Sequence, residues 1–251
     1  MRDFLELFNK IVCECNYTNT YKLAWARSLV EISMREKGFE NEKNIYLNEI
    51  SKRFLKYYWN QTIFYDLIQG SNISKTPIII QYTKILIKEY FELQSNDEPV
   101  KFEKIEDYLK SNLLSKYNMC LNNISKALKK DVSWRFIYID GKYQESIYKY
   151  EKNNDYISIE ERNLRVLNKY HEDLFDLIDY RWGLIIDSYK NRNEDIGKKV
   201  KIVYGIDYDK LKKYRKILGF DEENISNNKN NNAVKIIIRE NSEMHSVNLK
   251  R

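Results

Sequence analysis

Proline is almost missing from this chain, with two residues in 251, and glycine is scarce at seven. Architectures built from many tight turns are therefore excluded, and helix is favoured. Histidine occurs twice, at His171 and His245, and cysteine three times, at Cys13, Cys15 and Cys120. Cys13 and Cys15 lie two apart in a helical pattern and point in different directions, a poor metal pair. No His or Cys/His zinc spacing is present. An odd cysteine count without a disulfide framework points to a reducing, cytoplasmic setting. No apolar run approaches the roughly 18 residues that a membrane span needs. The start, "MRDFLELFNKIVCEC", carries acids and no small-residue cleavage site, unlike a signal peptide. Gly-rich phosphate loops, Gly-x-Ser-x-Gly and His-Glu-x-x-His are also missing.

What is present is a normal globular share of apolar residues, 43%, and a net charge of +6. The charge is not evenly spread. Between Lys198 and Lys216 stand Lys198, Lys199, Lys201, Lys210, Lys212, Lys213, Arg215 and Lys216, against Asp207 and Asp209. This one segment holds a surplus equal to that of the whole chain. A local basic stripe suits phosphate binding, because neutralised phosphates release counterions. A solvated helix face accounts for it equally well.

Apolar periodicity predicts a mainly α fold of α+β type. A first helix spans about Arg2 to Cys15. A second, capped by Asn19 or Thr20, runs from Tyr21 to Gly38. A short extended piece at Ile45–Leu47 leads into a long helix ending at Gly70. Pro77 opens the next helix, with Ile78, Tyr82, Ile85, Leu86 and Phe91 on its buried side. "KFEKIEDYLKSNLL" and "NNISKALKK" follow as helices. Near Asp131 the pattern becomes alternating, and Asp140-Gly141 predicts a hairpin. Two or three short strands are expected between residues 134 and 159. One long helix from Glu160 to Asn191 and a basic helix over 207–219 complete the order. The domain reading is a helical unit at 1–130, winged-helix-like in one view. A hairpin-plus-helix unit follows at 131–220, then an Asn-rich linker and tail at 221–251. Within that tail, "AVKIIIRE" reads as one short strand.

Glu172, Asp176 and Asp179 share a helix face at i, i+4 and i+7, a spacing able to hold Mg²⁺, although a solvated acidic face is the commoner cause. Glu-x-Lys occurs nowhere, and Asp140-Gly141-Lys142 is better read as a turn than as a nuclease motif. Two clusters join aromatics to polar and basic groups. One is "KYYWNQ", Lys56 to Gln61; the other pairs "SWRF" with "YRW". Such groups can stack on bases and bond their edges, but Trp59, Trp134 and Trp182 are more simply core residues.

The strings "TYKLAWARSLVEIS", "KYYWNQTIFYDLIQGSN", "LKKDVSWRFIYIDG", "LFDLIDYRW" and "GKKVKIVYGIDYDKLKKYRKILGF" occur in this order. Together, over residues 4 to 220, they resemble the N-terminal helical region of bacterial HNH-endonuclease-type proteins, a group with restriction or other DNA-defence functions. The resemblance implies double-stranded DNA as partner. It also implies a nuclease core after the basic segment, with a Cys-x-x-Cys knuckle and an Asp-His pair. Neither stands in this sequence, so no catalytic residue is carried over, no cofactor is expected and enzyme activity is left open. The expected phosphate contacts are the eight bases of 198–216. Lys22, Arg27, Asn60, Gln61, Arg135 and Arg181 are the further DNA-binding candidates. The alternatives are a Mg²⁺-dependent endonuclease using the Glu172/Asp176/Asp179 face, and a non-catalytic assembly subunit of a defence system. A homodimer or a defence-system protein is the expected protein partner.

Overall fold

The computed structural model of the chain describes residues 2–14, 18–35, 41–96 and 98–189. The basic segment 198–216, the helix expected at 207–219 and the Asn-rich tail lie outside the described residues. Within them the fold is mainly α with a small antiparallel sheet. The helices are α1 (Arg2–Glu14), α2 (Tyr21–Arg35), α3 (Leu47–Tyr65), α4 (Ile78–Gln94), α5 (Phe102–Asn112) and α6 (Leu114–Asp131). They continue with α7 (Ser133–Phe136), α8 (Glu161–Lys169) and α9 (His171–Ser188). The strands are β1 (Glu42–Tyr46), β2 (Tyr138–Ile139), β3 (Lys142–Tyr143), β4 (Lys149–Tyr150) and β5 (Tyr156–Glu160). No helix among the described residues is long and apolar enough to cross a membrane.

Among the described residues helix α2 is a central element. Leu23 to Val30 are buried without interruption, so the helix is covered all round rather than on one stripe. It packs against α1, α3, α8 and α9, and α3 in turn carries α4, α5 and α6. Buried hydroxyls inside these helices are satisfied by their own backbone. Ser28 Oγ donates to the Ala24 carbonyl at 2.7 Å, and Ser51 Oγ to that of Leu47 at 2.7 Å.

The sheet has the order β1-β5-β4. Ile45 pairs with Ile157 in its register, and Ile157 and Ile159 both face the core. Period-two alternation therefore puts one side of this small sheet inside. Residues on both sides of the boundary expected at 130–135 share this sheet and one continuous apolar cluster.

The hairpin forms where Asp140-Gly141 predicts it. Asp140 has φ 50° and Gly141 φ 78°, the two positive angles that a type I′ turn requires. Several expectations are corrected. "SWRF" is the short helix α7 and not a strand, because α6 continues through Val132 in helical geometry. Helix α3 stops at Tyr65, five residues before Gly70. Asp66 takes the left-handed conformation there, and Leu67 and Gln69 turn inward. The single long helix after Glu160 is two, broken at Tyr170. Unbroken over 161–188 it would run about 42 Å; the break lets both halves pack on α2. In α4 the inward face is Ile79, Ile80, Thr83, Leu86, Ile87 and Tyr90, whereas Ile78 and Ile85 are exposed. Apolar residues on two faces left its rotational phase ambiguous in sequence.

Candidate nucleic-acid interface

The loop before α2 and the loop after α3 are clasped together. Thr20 N donates to the Gln69 carbonyl at 3.2 Å and Ser71 N to that of Thr18 at 2.9 Å, with Asn19 bridged to Gly70 between them. Asn19 Oδ1 accepts from Tyr21 N at 3.1 Å, an Asx turn that starts α2. The Tyr21 hydroxyl accepts from Ile79 N at 2.9 Å and so fixes the beginning of α4. Burial pushes that hydroxyl's pKa up, keeping it protonated. Gly70 suits the close approach in this clasp: a Cβ there would stand 3.0 Å from the Pro77 ring and 3.4 Å from the Thr18 carbonyl oxygen.

This clasp forms one side of an open groove of about 1080 Å³; helices α6 and α7 form the other. The volume exceeds the roughly 300–1,000 Å³ of ordinary small-molecule pockets. Its cations are Lys22, Lys75, Lys126, Lys130 and Arg135, and its one carboxylate is Asp131. Asp131 Oδ1 lies 3.3 Å from the Arg135 guanidinium. The four lysines form no ion pair among the described residues. A smaller recess beside α3 and α4, about 630 Å³, offers a contrast. There Lys84 pairs with Asp66 at 2.6 Å and Lys88 with Glu92 at 3.6 Å.

Trp134 and Tyr138 form the aromatic part of the groove. Trp134 is half-buried, and its indole N–H donates to the Lys130 carbonyl at 2.8 Å. Arg135 lies 4.9 Å from its ring centroid. The Tyr138 ring meets it edge-on at 6.1 Å and meets Tyr143 at 5.1 Å. Lys126, Lys130 and Trp134 recur every four residues along α6 and α7, the spacing that stacks side chains on one helical face, and Tyr138 follows on β2.

Of the residues expected at a DNA contact, the structure brings Lys22 and Arg135 together in this groove. The other described candidates have internal roles. Arg27 is buried and makes two hydrogen bonds to Asp179, with Glu31 at 3.5 Å. Asn60 Oδ1 accepts from Phe102 N at 2.8 Å and caps α5, while its Nδ2 donates to Glu103 at 3.2 Å. Gln61 accepts from Gln69, whose Oε1 takes bonds from Thr20 at 2.8 Å and Trp182 at 3.2 Å. Arg181 donates to the carbonyls of Val12 and Cys13 at 3.4 and 2.5 Å, a cation at the end of α1. Trp59 and Trp182 are core residues, as expected; Trp134 is not.

The acidic face Glu172/Asp176/Asp179 does not act as one unit, since Asp179 is turned inward to Arg27. Among the described residues no three His, Cys, Asp or Glu side chains converge as a metal site. Lys75, Lys126, Lys130 and Tyr138 were not singled out from sequence. The four-residue spacing from Lys126 to Tyr138 is the signal that would have found three of them.

No family model matches the chain, and searches of curated proteins and of solved structures found no match either.

Proposed function

We propose that this chain is a DNA-binding, target-recognition module, similar to the N-terminal region of HNH-type restriction or defence proteins, and that the α6/α7 groove is a contact surface. The observation that carries the reading is the groove's charge among the described residues: five cations, four of them lysines that pair with no described carboxylate, against one acid. An isolated surface charge of this kind gains little from the fold itself, but gains from phosphates by counterion release. The basic segment 198–216 supplies further phosphate contacts under the same reading. The Arg135 guanidinium and the Asn123 amide supply donors of the kind that read base edges.

Anisotropy titrations with labelled duplex DNA across a salt series test it. Binding is expected to weaken steeply with salt. Replacing Lys22, Lys75, Lys126 and Lys130 by Glu is expected to lower affinity at least about tenfold and to flatten the log–log salt slope by about 3 to 4. Reversal of Lys198, Lys199, Lys201, Lys212 and Lys213 measures the share of the basic segment. Unchanged affinity and slope in the groove variant would remove the groove from the proposal.

A further inference from the structure

The chain has four tryptophans. Trp25, Trp59 and Trp182 are fully buried, each at 0% exposure. Trp134 alone reaches a surface, and that surface is the cationic groove. Large aromatics normally go to cores or to places where a partner covers them. The Trp134 indole N–H is already bonded to a backbone carbonyl, so what it offers a ligand is its ring face. Tyr138 and Tyr143, 42% and 56% exposed, continue an aromatic strip from the groove onto the hairpin.

We infer that the groove takes unpaired nucleotides, with bases stacked on Trp134 and Tyr138 and phosphates among Lys22, Lys75, Lys126 and Lys130. This rests on the nucleic-acid reading above and narrows it. In a duplex the base faces are hidden by their neighbours. A protein reads duplex DNA by projecting a helix or ribbon into a groove of the DNA. Here the aromatics line a concavity. Among the described residues the ribbon that borders the groove, β2–β3, has two residues per strand and an acid at its tip, Asp140, held back by Lys10. That tip is ill suited to enter a phosphate-walled groove. An unpaired strand exposes its base faces, and basic grooves with aromatic platforms bind it with little regard to sequence. The guanidinium of Arg135 over the indole fits the same use, since it can stack beside a base or pair with its phosphate. Asn123, whose side chain makes no hydrogen bond among the described residues, can bond a base edge.

The test compares three labelled ligands on the full chain: oligo-dT, oligo-rU of equal length, and a duplex of equal length. The single strand is expected to bind about tenfold or more tightly than the duplex. Trp134→Ala is expected to weaken single-strand binding about five- to a hundredfold, and Trp134→Phe much less. Tyr138→Ala, on the exposed hairpin, should act in the same direction if Trp134→Ala proves poorly folded by circular dichroism. Oligonucleotide is also expected to quench tryptophan emission, and that quenching should vanish in Trp134→Phe, because the remaining three indoles are sealed in the core. Tighter binding of oligo-rU than of oligo-dT supports the inference and assigns RNA as the source of the strand. Duplex binding equal to single-strand binding, or single-strand affinity untouched by Trp134→Ala and Tyr138→Ala, overturns the inference and leaves the nucleic-acid reading standing. No binding to any of the three overturns both.

Discussion

Arg27 and Asp179 stand 152 positions apart in sequence and meet in the interior. Glu31, Arg53 and Lys56 extend the cluster outward, with Lys56 Nζ 3.0 Å from Glu31 and Arg53 3.8 Å from it. Removing one member of a buried pair leaves a charge without compensation, and this costs about 3–5 kcal/mol. Arg27→Met is expected to destabilise by that amount in urea denaturation, and Arg27→Met/Asp179→Leu to recover much of it. The two carboxylates respond oppositely to pH. Burial, opposed by Arg27, pushes the Asp179 carboxyl up to about 6 from an ordinary 3.8. Between those values the folded form holds a proton that the unfolded form has lost, so stability falls as pH rises from about 4 to 6. Burial would also raise Glu31, but Lys56 and then Arg27 outweigh it and hold its carboxyl below the usual range. Its contribution is present above about 4.5 and is lost as pH falls further. Melting temperatures of wild type and Asp179→Asn should therefore be similar near pH 4, where the protonated carboxyl resembles the amide, and separate as pH is raised to 6, with the wild type falling below the variant. Wild type should instead exceed Glu31→Gln above about 4.5 and converge with it on acidification. Residue identity alone misled most here. Asn60 and Gln61 are polar, beside aromatics, and suit a DNA contact on paper. Their partners, Phe102 N and Gln69, lie elsewhere in the chain, and only the fold shows that both amides are occupied.

Elements were legible where a local rule decides them. The β2–β3 turn follows from Asp-Gly chemistry and nothing else. Gly141 has open space around the place of a Cβ, so Gly141→Ala isolates the backbone term. It is expected to destabilise by about 1 kcal/mol in chemical denaturation, through the positive φ alone. The starts of α1 and α2 were equally legible, from periodicity and from Asn19. Elements whose limits depend on packing were not. "SWRF" alternates apolar and polar residues over a span too short to separate strand from helix, and α6 settles it as helix. Tyr170 gives no breaking signal of its own, and both α8 and α9 pack on α2, a tertiary contact that no local pattern announces. The sequence reads as extended at Ile45–Leu47, whereas the strand is Glu42–Tyr46 and Leu47 begins α3; its partner β5 lies 114 residues away, at Asn44 and Ser158.

At the scale of the molecule, one apolar cluster runs from Phe4 to Tyr189 among the described residues. Trp182 on α9 packs edge-on against Tyr57 and Tyr58 of α3, at 6.1 and 5.9 Å. Trp182→Ala is expected to cost about 3–5 kcal/mol. With the core shared in this way, calorimetry should show one transition that moves as a whole. Two resolved transitions, with only one displaced, would mark an independent unit on either side of residue 130. The groove itself was the least legible feature. Its lysines come from three segments, and each by itself is an ordinary surface residue. Lys22 and Arg135 were named from sequence for their aromatic or helical neighbours, but only the clasp at Asn19 and Gly70 puts the loop bearing Lys75 opposite α6.

The long reach of these pairings has a consequence for how the protein is made. Arg27 is added to the growing chain 152 residues before Asp179, and α1 is complete well before Arg181 exists to close its end. At about 5–20 residues per second, the guanidinium waits about 8 to 30 s for its carboxylate. Strand β1 waits for β5 over nearly as long a stretch. Throughout that interval α2, buried without interruption from Leu23 to Val30 in the finished fold, has no α8 or α9 to lie against. The nascent N-terminal half thus carries apolar helix surface that stays uncovered until the later helices are made.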